Sequence, residues 1–147
     1  MTRTSKIIGV RPAGLNDYNE DHQVVTLESR GAGYRKQPCP TCPWRVDAVG
    51  EFPAEAFRHS ARTAYDASTH VFSCHESGAE KPATCAGFLL RNANNNLGVR
   101  IAERMGRIDM DQVSDGGAEL FQSYRAMAEA NGVDPDDPIL KPCRSNT

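Results

Sequence analysis

Four cysteines carry the chemistry that this chain offers. Cys39 and Cys42 lie in Pro38-Cys39-Pro40-Thr41-Cys42-Pro43-Trp44-Arg45, Cys74 in Phe72-Ser73-Cys74-His75, and Cys85 in Cys85-Ala86-Gly87-Phe88. Two residues between Cys39 and Cys42 let a tight turn aim both sulfurs at one point. Prolines 38, 40 and 43 stiffen that turn and lower the entropy lost in holding it open. A thiolate quartet of this kind is explained more simply by a bound metal than by packing. The predicted ligands are therefore Cys39, Cys42, Cys74 and Cys85. Structural Zn²⁺ is the first expectation and a [4Fe–4S] cluster the alternative, because four thiolates suit both. His75 is a substitute for Cys74, but neighbouring side chains on a strand point opposite ways, so the two do not serve one ion together. Cys143 is expected to be a free thiol outside the site.

Two enzyme readings of the same residues are weaker. Pro38-Cys39-Pro40-Thr41-Cys42 fits the second half of a zinc nucleobase deaminase signature, but the first half, His-x-Glu, has no match upstream. His22, the one upstream histidine, is followed by Gln23-Val24. A dithiol redox enzyme is a second alternative, resting on Cys39-Pro40-Thr41-Cys42. That fold needs a strand before the pair and a helix opening at it, and here Pro43 follows directly. No catalytic residue is assigned, and the balance leans away from an enzyme.

The motifs Cys-x-x-Cys-Pro-Trp-Arg (Cys39 to Arg45), Gly50-Glu51-Phe52-Pro53, Phe72 to His75 and Cys85-Ala86-Gly87 resemble a family of uncharacterised proteins of bacteriophages and bacterial genomes. The resemblance spans roughly residues 38–100. It implies a metal site and a phage or prophage setting, and it transfers no activity; the role expected for the chain is a structural-metal binding module, a phage accessory factor engaging a host protein or nucleic acid.

The elements that must position the cysteines follow from pattern. Apolar residues make up 39% of the chain, so the core should be small and should gain from a metal staple. Lys6–Val10 and Gln23–Leu27 read as short strands. Pro53 opens a helix whose face is Phe57, Ala61, Ala64 and Tyr65, ending near Asp66. His70–Cys74 reads as a strand delivering Cys74. Thr84 caps a helix starting at Cys85, which the Asn92–Asn96 tract weakens. Leu97–Met105 forms another helical stretch stopped by Gly106, and a last helix runs from about Gly117 to Asn131. Met105, Phe121 and Met127 read as core. Trp44 is expected to cap the core beside the metal, with Arg45 paired to a carboxylate or carbonyl.

The expected fold is thus α+β, a small metal-stapled domain with about three helices and a few short strands. Its divisions are an N-terminal arm with short strands (1–37), a Cys₄ metal-binding domain (38–132) and an acidic, Pro-rich C-terminal tail (133–147). A net charge of −2 disfavours a general nucleic-acid binder, and the final third, 111–147, has three Lys/Arg against seven Asp/Glu. A basic face around Arg91, Arg100, Arg104 and Arg107 is more simply a solvated one. The odd number of cysteines, five, the absence of a secretory signal and the lack of any membrane-length apolar run point to a reduced cytoplasmic setting. A protein partner or nucleic acid is open, and the oligomeric state is not set by sequence.

Overall fold

The computed structural model describes residues 5–29, 33–74, 76 and 82–144. The fold is mixed α+β, with four α-helices and two small sheets. An N-terminal hairpin pairs β1 (Ser5–Leu15) with β2 (Asp21–Ser29), antiparallel, with bulges between Ile7 and Gly9 and between Pro12 and Gly14. Asn16 closes its turn: the side-chain oxygen accepts from the Tyr18 and Glu20 amides, both at 2.9 Å. Its amide nitrogen donates to Glu51 O at 2.8 Å, which ties the hairpin to the loop before the first helix.

That helix, α1 (Ala54–Ser60), starts directly after Pro53, whose missing N–H costs nothing there. It tightens into a 3-10 turn over Ala61–Ala64, so Phe57, Ala61 and Ala64 all reach the core while the α-helical geometry ends earlier than the pattern predicts. The helix α2 (Ala86–Asn92) and the helix α3 (Leu97–Arg104) are separate. The asparagine tract divides them and is structural rather than a weakness. Asn96 is fully buried and caps α3: its oxygen accepts from Val99 N at 2.9 Å, and its Nδ2 donates to Thr63 O and His70 O. Asn95 Nδ2 donates to Ala64 O.

The last helix, α4 (Tyr124–Ala130), is half the predicted length. Gly116 and Gly117 take positive φ in a turn, and residues 119–121 are drawn into extended pairing. Val46 N donates to Glu119 O, Phe121 N donates to Trp44 O, and Arg45 and Leu120 form an isolated bridge. Long-range pairing outweighs helix propensity there. Ser123 then caps α4 at Ala126 N, and Gly132, at φ 101°, stops it.

The core is one cluster built around Trp44, Phe57, Phe88, Leu89, Met127 and Leu140. Val133, Leu140 and Cys143 belong to it, so the described residues 133–144 are not simply a solvated tail. Leu140 is buried on a 3-10 turn (Pro138–Leu140) capped by Asp137, Tyr65 bridges to Cys143, and Arg125 Nη2 donates to Leu140 O. Met105 departs from expectation in the other direction: it lies in the open, past the end of α3. No helix among the described residues is long and apolar enough to cross a membrane.

Candidate metal centre

Three separate segments carry the four cysteines into the core. The knuckle is a turn in which Cys42 N donates to Cys39 O and Arg45 N to Cys42 O, both at 3.0 Å. The Trp44 backbone amide is directed at the Cys42 sulfur. Cys74 and Cys85 come from a small sheet. There β3 (Gly33–Tyr34) pairs parallel with β4 (Ala83–Thr84), and Ser73 bridges antiparallel to Thr84 on the other side. Cys74 N donates to Ala83 O at 2.7 Å and Cys85 N to Phe72 O at 2.8 Å, which fixes the two cysteines across from each other. His70–Cys74 is thus held by this single bridge rather than as a full strand. Cys85, not Thr84, is the N-cap of α2.

All four cysteines are buried and none is in a disulfide. Cys42 Sγ and Cys85 Sγ are 3.5 Å apart. Cys39 hydrogen-bonds to Cys42. Cys74 Sγ accepts from Arg35 Nε at 3.3 Å. Among the described residues, no three His, Cys, Asp or Glu side chains stand together in a ligating arrangement. The structure therefore brings Cys39, Cys42 and Cys85 into a chain of contacts and turns Cys74 toward an arginine. His75 lies outside the described residues. Cys143 is buried at a different place, its sulfur 3.9 Å from Ala61 O, and burial pushes its thiol up to about 11.

Among the four, the electrostatics of Cys42 are those of a thiol crowded by others. For Cys42, the hydrogen bond with Cys39 is the largest influence and acts downward. Hydrogen bonding to Cys85, burial and repulsion by Cys85 oppose it and push the thiol up to about 12. Burial without a cation disfavours thiolate, and this is the charge that a divalent metal would supply. Arg35 is the positive group that sequence reasoning missed. It donates to Cys74, lies 3.7 Å from Glu76, and its backbone N–H donates to Thr84 O. Its proton affinity is raised first by the hydrogen bond to Cys74, then by attraction to that sulfur, with Cys39 contributing as well. No spacing rule pairs residue 35 with residue 74; the parallel β3–β4 pairing does.

The residues next to the cysteines in the motifs are packing devices. Trp44 is fully buried, edge-on to Phe72 and Tyr124 with ring centroids 6.2 and 5.8 Å away. It lies so close to α2 that a Cβ on Gly87 would fall 2.6 Å from Trp44 Cβ. Arg45 forms a two-pronged pair with Asp47, at 2.8 and 2.7 Å, so both residues take structural roles. The Trp44 indole N–H has no partner among the described residues, consistent with a side chain retained for its shape.

These features define a small α+β protein in which four buried cysteines come from a knuckle, the segment bridged to β4 and the start of α2. Residues 34–144 match a family of unknown function (DUF6283), and the chain belongs to that family. The match takes in the knuckle, the corner, all four helices and the packed C-terminal turn, and leaves out the β1–β2 hairpin. No curated protein matches the chain, and no solved structure does either.

Proposed function

We propose that this protein is a structural-metal binding module in which Cys39, Cys42, Cys74 and Cys85 hold one Zn²⁺, and whose work is done by its surface rather than at the cysteines. The observation that carries this reading is the buried contact of Cys42 and Cys85 at 3.5 Å, made by segments that are far apart in sequence. In a tetrahedral ZnS₄ site with Zn–S of about 2.3 Å, neighbouring sulfurs lie about 3.8 Å apart. The contact is close to that edge. In a [4Fe–4S] cluster each cysteine binds a different iron, which keeps ligand sulfurs well beyond contact, so the same distance speaks against the cluster. An accessory role in a phage or prophage belongs to the same proposal and follows from the motif resemblance alone.

A dithiol redox enzyme is the second reading, and Cys42 contacts both Cys39 and Cys85, either of which could complete the pair. Reactive thiols, however, are accessible and hold depressed pKa values. Cys42 is buried and pushed the other way.

Purification with and without oxygen, followed by an absorbance scan and elemental analysis, separates these readings. The proposal expects a colourless protein with stoichiometric zinc in both preparations. A brown anaerobic preparation with iron and sulfide would replace zinc by the cluster. A metal-free protein that forms a reversible disulfide at Cys42 would leave the redox reading standing instead.

A further inference from the structure

The surface of α3 is unlike the rest of the molecule. Leu97, Ile101 and Met105 recur every fourth residue along one side, and they are 39%, 44% and 67% exposed. With Ala93 they form the apolar floor of an open trough on this side of the helix. The opposite side is fixed to the core by the buried Val99 and by the Asn96 cap. A segment that spends three large apolar side chains on solvent leaves that burial unused.

The charges beside the stripe select what covers it. Arg100 and Arg104 line the same trough, and Glu103 is the only acidic residue there. Arg100 and Arg104 form no ion pair among the described residues, in contrast to Arg45, Arg58 and Arg144. Arg107, beyond the helix end, reaches back to Met105 with Nη2 3.6 Å from the sulfur. Arg91 is not part of this set, because its Nε is committed to Phe121 O at 2.7 Å. A second copy is a poor occupant: a twofold pairing of α3 on α3 would bring the arginines of one copy against those of the other. Nucleic acid is also a poor match, since phosphate gains nothing from a central apolar ridge and the chain as a whole carries −2.

We infer that the Leu97-Ile101-Met105 face of α3 docks an acidic amphipathic helix of another protein. Its apolar residues would lie along the stripe and its carboxylates against Arg100, Arg104 and Arg107. This is helix-on-helix recognition, in which apolar anchors give affinity and flanking charges give register and selectivity. The inference rests on the binding-module part of the proposed function and not on the metal.

The test uses the full chain and synthetic helical peptides in fluorescence anisotropy. One peptide has a leucine stripe flanked by glutamates, a second has lysines in place of the glutamates, and a single-stranded oligonucleotide is the third probe. The glutamate peptide should bind, with the lysine peptide at least tenfold weaker. Ile101→Glu should weaken the glutamate peptide at least tenfold, and the double variant Arg100→Glu/Arg104→Glu should reverse the order of the two peptides. Zinc content should be unchanged in all variants, which separates failure of the surface from failure of the metal site. The inference is overturned if the glutamate peptide does not bind, if Ile101→Glu leaves its affinity unchanged, or if the oligonucleotide binds more tightly. Self-association abolished by Ile101→Glu would equally overturn it.

Discussion

At the scale of single residues, the account turns on contacts that place a side chain where nothing else fits. Gly87 is the clearest. Alanine in a helix is ordinarily favoured over glycine by up to about 1 kcal/mol. Here the added methyl would meet Trp44 Cβ at 2.6 Å, and Trp44 is fully buried with no space to retreat. Overpacking of this kind costs about 1–3 kcal/mol, so the clash outweighs the propensity. Gly87→Ala should therefore unfold at lower denaturant by that amount, and an unchanged midpoint would contradict the packing described for the knuckle. Arg35 is a positioning residue of a different kind. Groups that hold metal ligands from behind change affinity by about 10–100-fold when removed. Arg35→Ala should weaken zinc binding by that factor in competition with a chelator, with Arg35→Lys in between because it retains charge but not the Nε contact. An Arg35→Ala protein within twofold of the parent would remove Arg35 from the site. The four cysteines stood out in the sequence as candidate ligands, because type and spacing are local, and all four are buried. Arg35 did not stand out, because its partner is defined only by a strand pairing between residues fifty positions apart.

At the scale of elements, the strands of the hairpin and the helices after Pro53, Cys85 and Asn96 were readable from alternation, caps and apolar spacing. The departures have one cause, which is tertiary pairing overriding local preference. The stretch after Gly117 has the apolar spacing of a helix, yet Glu119 and Phe121 are held by Val46 and Trp44 as extended backbone. The asparagine tract looks like a helix breaker and does end α2, but its side chains rebuild the turn and start α3. Residues 133–144 look like an acidic tail because their charges are all that composition reveals. Leu140 is buried, and Arg125 is hydrogen-bonded to its carbonyl and, at 3.2 Å, to that of Cys143. Leu140→Ala should cost about 2–5 kcal/mol in equilibrium unfolding, as for other buried leucines. A cost below 0.5 kcal/mol, the size expected of an exposed position, would return this segment to a tail.

At the scale of the whole molecule, the proposed zinc would decide how stability depends on pH. In the metal-free protein the Cys42 thiol is raised to about 12, above its unfolded value of about 8.5. A raised value means that the folded state holds the proton more tightly. Its contribution is complete below about pH 8.5 and is lost as the pH rises toward about 12. Metal-free protein should therefore lose stability across that alkaline window. Zinc binding requires thiolates, so the loaded protein should be insensitive there and should instead release metal on acidification. Thermal melts of both forms from pH 5 to 11 would show the two trends, and parallel curves would contradict the assignment. The fold carries a small core, so the staple should be worth a large part of the total stability. The most direct check is native mass spectrometry of the purified chain and of its four single Cys→Ser variants at positions 39, 42, 74 and 85. The account predicts one zinc per parent chain, loss or severe weakening of it in each variant, and full retention in Cys143→Ser. A parent chain without zinc, or one that keeps zinc in Cys74→Ser but loses it in Cys143→Ser, would contradict the four-cysteine centre.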